Sequence, residues 1–224
     1  MTGGGEIMIV WSLFDGSGIM GLPWALAGHE VYCFNSDKGN HGEYEVKMCH
    51  EKIKYVDSWI SEGWCPEGCG IPDIIFSFPD CTMLAGSGEK HERPEGEVEV
   101  AVANARVAEA LGIKFNTPWL VENPVGKLST EWRKADHYID PYQFGGYLSG
   151  YEQQFHPRMP RFDAYTKKTA IWCGNGMEMP EKRPVPHIGM FWGWAYLGGK
   201  SAKTKQLRSL TPRGFAKAIY EANK

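Results

Sequence analysis

Three times in this chain a short apolar run stops abruptly at a cluster of turn-forming and reactive residues. Ile7 to Phe14 (IMIVWSLF) is the first such run. Its length and β-branched content fit a strand buried on both faces, as in a parallel sheet. A Gly-rich turn, Asp15 to Gly18, follows it, then a helical stretch over Met20 to Ala27 that Gly28 can end. Glu30 to Asn35 (EVYCFN) reads as the next strand, with Asp37 just beyond, completing a β-α-β opening. The second run, Asp73 to Phe78, is stopped by Pro79, and a polar, Gly-rich segment spans Cys81 to Gly96. Val98, Ala101, Val102, Ala105, Ala108 and Leu111 recur at helical spacing, so a helix is expected over Val98–Leu111, closed by Gly112. The third run, Thr117 to Glu122, is expected to break at Asn123-Pro124, and Ala170–Cys173 is a further candidate strand. Alternating strands and helices predict an α/β fold: a mostly parallel central sheet, helices on both faces and right-handed crossovers. Such sheets bind ligands beyond the carboxyl ends of their strands. Asp15–Gly18, Pro79–Thr82 and Glu122–Pro124 all fall at such ends.

At 224 residues the chain is long enough for one substantial core, read here as a single domain. Its 27 Gly and 14 Pro are numerous, yet below the share that marks low-complexity disorder. A formal charge of −3 excludes a global basic field for gripping nucleic acid but leaves room for a local basic patch. No apolar run reaches the ~18 residues of a membrane span. Met1 to Glu6 has no basic region and does not read as a signal peptide, so a cytoplasmic setting is expected. Cys33, Cys49, Cys65, Cys69, Cys81 and Cys173 are irregularly spaced and suit reduced thiols. Cys65 and Cys69, with Cys49-His50 upstream, lack the tight paired spacing of a zinc site, and no metal is expected. Gly174 to Leu210 is rich in Pro, Gly and Trp and carries Lys182, Arg183, Lys200, Lys203, Lys205 and Arg208. No regular element is expected there; its basic, aromatic character suits either a surface that meets an anionic polymer or a solvated irregular loop. A last helix is expected over Arg213–Asn223, with Thr211 as N-cap and Pro212 at its first position.

Gly16, Gly18 and Gly21 satisfy G-x-G-x-x-G after a strand, with Asp37 about twenty residues on. That pattern serves a nicotinamide dinucleotide or S-adenosylmethionine, since both need close backbone approach and an acid for ribose hydroxyls. Asp15, before the first Gly, could bind the amino group of a methionine moiety, and Phe14 could pack on adenine. Pro79-Asp80-Cys81-Thr82 sets a thiol just past a buried strand, where it is either a poised nucleophile or an inert core cysteine. Glu122 and Asn123 put a carboxylate and an amide at another strand end, where burying the acid requires a proton or a partner. One reaction uses all of these. C5 of cytosine is a poor nucleophile until a thiolate adds at C6 while an acid holds N3, after which C5 can take a methyl group.

These clusters, in this order, resemble the C5-cytosine-specific DNA methyltransferase family, and most nearly its compact, phage-type members. Phe14-Asp-Gly-Ser-Gly18 resembles the first cofactor motif, and Asp37 and Asp57 match the acids that bind the ribose and the adenine amino group. Pro79-Asp-Cys81 with Ser87-Gly88-Glu-Lys90 resembles the nucleophile motif and its closing loop, and Glu122-Asn123 the pair whose Glu meets N3. Lys167-Lys168-Thr169 stands where the family has its arginine-bearing substrate motif, and Arg208 to Arg213 resembles the motif that buttresses the target-recognition region. The resemblance implies S-adenosyl-L-methionine as cofactor, held by Phe14, Asp15, Gly16, Ser17, Gly18, Asp37, Asp57 and Pro79. It implies Cys81 as nucleophile, Glu122 as the acid and Asn123 as its orienter, with Thr82, Ser87, Lys90, Lys168 and Arg208 contacting substrate. It also implies double-stranded DNA as partner, with base flipping and no obligate protein partner. The chain departs from the family at Asp80, usually Pro, whose carboxylate would raise the thiol pKa. It departs again at Thr82 (commonly Gln), at Pro124 (Val), in its Lys pair where Arg is usual, and in lacking the terminal Gly-Asn motif. The recognition segment after Cys173, at roughly 35 residues, implies a short target context of about two base pairs.

Overall fold

The computed structural model describes residues 6–36, 50–84, 96–198 and 201–224. Seven strands form one sheet: β1 (Ile9–Leu13), β2 (Glu30–Asn35), β3 (Ile53–Asp57), β4 (Ile74–Ser77), β5 (Trp119–Pro124), β6 (His137–Ile139) and β7 (Thr169–Gly174). Their order is β3-β2-β1-β4-β5-β7-β6. Every neighbouring pair from β3 to β5 is parallel, whereas β7 runs antiparallel to both β5 and β6. This is a Rossmann-like α/β sheet, mostly parallel, with one reversed strand near the sheet edge. The chain winds outward from β1 through β2 to β3, then returns to β4 on the other side of β1. The β1–β4 boundary is therefore the topological switch point, where the crossovers diverge and leave a crevice.

Period-two alternation sends the strand residues into two cores. Val10, Val31, Ile74, Phe76, Leu120 and Ile171 face one; Trp11, Leu13, Phe34, Ile75, Trp119 and Trp172 face the other. Helices α1 (Leu22–Leu26) and α6 (Arg213–Asn223) cover the first face through Trp24, Phe215 and Ile219. Helix α2 (Glu97–Phe115) covers the second through Ala105, Ala108 and Leu111. Helices α4 (Trp192–Tyr196) and α5 (Ala202–Arg208) add Trp192 and Leu207 to the first core. The short α3 (Leu128–Glu131) follows β5. None of the described helices is long and apolar enough to cross a membrane.

Four expectations need correction. Helix α2 does not stop at Gly112 but runs to Phe115, with Asn116 in the left-handed conformation (φ 53°) as its cap. Gly112 is needed for packing, since a Cβ there would collide with the Trp119 ring. Strand β5 is not broken at Asn123-Pro124. Pairing with β7 carries it on, Asn123 opposite Ala170 and Pro124 opposite Thr169. The segment 174–210 does contain regular structure, α4 and α5. Finally, Pro212 rather than Thr211 is the N-cap of α6.

The cap of α6 comes from across the molecule. Gly214 N–H donates to Asp163 Oδ2 at 3.0 Å. Asp163 Oδ1 accepts from Arg213 Nε (3.0 Å) and Nη2 (2.7 Å), and Arg213 also donates to the carbonyls of Gln153 and Pro160. Both partners are buried, and burial pushes the Asp163 carboxyl up against the opposing pull of Arg213. Removing one partner would leave an uncompensated buried charge. Arg213→Met should therefore cost about 3–5 kcal/mol in urea unfolding, with Arg213→Met/Asp163→Asn recovering part of it.

Candidate active site at the strand ends

The turn after β1 is organised by one carboxylate. Asp15 is 4% exposed. Its Oδ1 accepts from the backbone N–H of Ser17 (2.9 Å) and Gly18 (2.8 Å) and from Ser17 Oγ (3.0 Å). Its Oδ2 accepts from Ser12 Oγ at 2.7 Å. The chain enters through Phe14 at φ 56°, a conformation that costs an aromatic residue energy and recurs at ligand sites. Gly18 leaves it at φ 74°, where a Cβ would stand 2.6 Å from Tyr55 Oη, itself donating to Ser17 O at 3.1 Å. Gly21 lets α1 close on β2, since a Cβ there would meet Val31. Asp15 thus acts on its own loop through both oxygens.

Across the switch point, Asn123 ties two strand ends together. Its Nδ2 donates to the carbonyl of buried Pro79 at 3.0 Å, so the ends of β4 and β5 are fixed to each other. In the next residue, Asp80 Oδ1 accepts from Thr82 N–H (2.8 Å) and Thr82 Oγ1 (2.6 Å). That turn presents Cys81, partly buried. Glu122 precedes Asn123 and hydrogen-bonds the Thr169 side chain at the start of β7. Because β7 is reversed, its first residues lie at the carboxyl end of β5. Lys167 is brought there too, its Nζ donating to Arg208 O at 2.8 Å and lying 4.8 Å from the Phe191 ring centroid.

Cys81, Glu122 and Lys167 form one electrostatic unit. Burial pushes the Cys81 thiol up, the Asp80 and Glu122 carboxylates push it further, and Lys167 pulls it down. Burial raises the Glu122 carboxyl, opposed by Lys167 and the Thr169 hydrogen bond. Burial lowers Lys167, while Glu122 and Cys81 hold its proton on. The arrangement offers a thiol, an acid inclined to keep its proton and a cation that favours the thiolate.

The other expected residues are distributed unevenly. Asp37, Ser87 and Lys90 lie outside the described residues. Asp57 is exposed at the end of β3, opposite Asn35. Phe14, Gly16 and Ser17 are partly exposed around the first turn. Lys168 is turned outward, with Nζ 5.1 Å from the Tyr138 ring centroid, so of the adjacent lysines Lys167 is the one that acts on Cys81 and Glu122. The Arg208 guanidinium is bonded to the Leu197 carbonyl, and its own carbonyl serves Lys167. Sequence reading missed Ser12, Tyr55 and the separate role of Lys167. Ser12 is a polar residue inside an apolar strand and is itself a readable signal; Tyr55 gives none.

No protein-family model matches the chain, and no curated protein sequence does. Among solved structures it is similar to the glycopeptide N-methyltransferase MtfA at 15% identity, over 53% of this chain and 47% of that one, with TM-score 0.31. A methyltransferase assigned to an antibiotic biosynthesis pathway of Anabaena variabilis is similar at 10% identity, over 64% and 47%, with TM-score 0.30. A mutant of Spodoptera frugiperda DNMT2 is similar at 13% identity, over 87% and 60%, with TM-score 0.37. The chain spans about half the length of the first two and 60% of the third.

Two outcomes follow from the charges. Lys167→Met should raise the Cys81 thiol pKa and Asp80→Asn should lower it, read from the pH dependence of iodoacetamide labelling at Cys81 by peptide mass spectrometry. For Glu122 the folded pKa lies above the unfolded one, so the folded state binds the proton more tightly and stability falls as pH rises past the ordinary value of 4.5. Glu122→Gln removes that loss. Its melting temperature relative to the unsubstituted protein should therefore climb as pH rises above about 4.5, a trend visible by calorimetry.

Proposed function

We propose that this protein transfers a methyl group from S-adenosylmethionine to C5 of cytosine in DNA. The observation that carries the reading is the convergence of Cys81, Glu122 and Lys167 at the carboxyl end of the sheet, beside the switch point. The cofactor fits what stands there. The buried Ser77 Oγ and Asn123 Oδ1 at the ends of β4 and β5 have no hydrogen-bond partner among the described residues, leaving polar atoms there for a ligand. Phe14, Asp15, Gly16, Ser17 and Gly18 would hold it from the β1 side, Asp57 from the end of β3, and Pro79 from β4; the resemblance adds Asp37. When bound it would supply an electrophilic methyl group.

The chain's own residues would act as follows. A target base must leave the duplex to reach a thiol at the bottom of this site. Lys167 favours the Cys81 thiolate, which forms a bond to C6. Glu122, whose carboxyl burial pushes up, donates a proton to N3, so the electron pair displaced by addition is held by the ring as an enamine with its nucleophilic carbon at C5. Once C5 carries the methyl group its proton leaves to solvent base. The electrons of that C–H bond restore the C5–C6 double bond as the C6–S bond breaks, and the proton shared with N3 returns to Glu122. Asn123 holds the Glu122 strand against the Cys81 turn and keeps the two groups in register. Thr82 contributes by fixing Asp80 within the turn.

A second reading is favoured by one observation: burial, Asp80 and Glu122 all raise the Cys81 thiol. A chain that binds cofactor or DNA without turnover would show that property. Covalent trapping separates the two. With S-adenosylmethionine and duplex DNA carrying 5-fluorocytosine in randomised contexts, the fluorine cannot leave as a proton does, and the thiol adduct should survive denaturation. The adduct should vanish in Cys81→Ala, and sequencing the trapped DNA gives the context. No adduct, with a cofactor-dependent melting shift intact, supports the silent reading.

A further inference from the structure

Asp80 burdens the addition step, yet its carboxylate is placed with care. It is exposed, between buried Pro79 and partly buried Cys81. Its Oδ1 accepts from Thr82 N–H at 2.8 Å and from Thr82 Oγ1 at 2.6 Å. Its Oδ2 takes no hydrogen bond from the described residues. One carboxylate oxygen is thus fixed by the turn and the other is left to solvent beside the thiol. That charge opposes the Cys81 thiolate, more strongly than Glu122 does. An uncharged residue in its place would ease attack on C6. The second half of the reaction has a use for it.

Once C5 carries the methyl group, its hydrogen must leave as a proton for the C6–S bond to break. Among the described residues, three side-chain charges act on the Cys81 sulfur: Asp80, Glu122 and Lys167. Glu122 is hydrogen-bonded to Thr169 and, in the reaction, to N3. Lys167 is a cation without a lone pair, donating to Arg208 O. Of the three, Asp80 has the oxygen that can accept. We propose that Asp80 is the general base of the elimination step and relays the C5 proton to solvent through Oδ2. An O–H bond forms on Oδ2 as the C5–H bond breaks. The C–H electron pair becomes the C5–C6 double bond, and the C6–S pair returns to Cys81 as thiolate, within the influence of Lys167. A methyl group added opposite the sulfur turns the C5 hydrogen to the sulfur's own face of the ring, which is the side of Asp80. The proposal rests on the cytosine reading above.

Asp80→Asn in the full chain tests this, because the amide keeps an Oδ1 acceptor for Thr82 and loses the basic oxygen. The two halves of the reaction are read separately, with S-adenosylmethionine throughout. On duplex libraries carrying 5-fluorocytosine, where no C5 proton is released, the variant should form adduct at least as fast as the unsubstituted protein at about pH 7. On libraries carrying cytosine tritiated at C5, its release of tritium should slow at least about tenfold. Adduct resistant to denaturation should then accumulate on ordinary cytosine, and added acetate should discharge it without changing the 5-fluorocytosine rate. A merely structural role for Asp80 would show neither. Tritium release at the normal rate, slowed release without accumulation, or an accumulated adduct that acetate does not discharge would overturn Asp80 as the base and leave the cytosine reading standing. No adduct from the unsubstituted protein on 5-fluorocytosine, with its cofactor-dependent melting shift intact, would end both.

Discussion

The antiparallel pairing of β7 with β5 is the constraint on which the site depends. A parallel β7 would begin at the opposite edge of the sheet, far from the ends of β1, β4 and β5. Reversal brings Thr169 opposite Pro124 and Ala170 opposite Asn123, and so delivers Lys167 to the acid on β5. The same pairing carries β5 on through Asn123, whose amide then reaches the Pro79 carbonyl. Thiol, acid and cation thus come from elements far apart in sequence and meet because one strand runs backwards.

Around that meeting point the structure tolerates conditions that a purely structural core would not select. Phe14 sits in the left-handed region, and Ser77 Oγ and Asn123 Oδ1 are buried without partners. Each is unfavourable alone. All three fall within a few residues of the three strand ends, although Trp24 Nε1 and Trp192 Nε1 in the first core are likewise without partners.

Much of this was legible in the sequence, for physical reasons. A strand buried on both faces must be apolar almost throughout, so β1, β4 and β5 stood out and their ends marked the site. Strand β3 did not. At the sheet edge its Lys54 and Asp57 can face water, so its pattern reads as neither strand nor helix. Gly112 looked like a helix stop because sequence shows the absence of a side chain, not the Trp119 ring filling its space. Lys167 and Lys168 are chemically identical, and only the position of β7 separates the one beside the acid from the one over Tyr138. Helices α4 and α5 are short and tied to the core by a few residues such as Trp192 and Leu207, which leaves little periodicity to detect.

The cap that Asp163 places on α6 also bears on how the chain matures. Helix α6 follows every described strand in the chain, and it closes the face formed by Trp24, Phe76 and Phe144, with Tyr220 packed edge-on against Trp24. Its first turn is completed by a carboxylate 51 residues upstream. On the ribosome, the sheet could pair its strands while the part of that face under α6 remained wet and adhesive. Until α6 has emerged and docked, the nascent chain would need shielding from its neighbours.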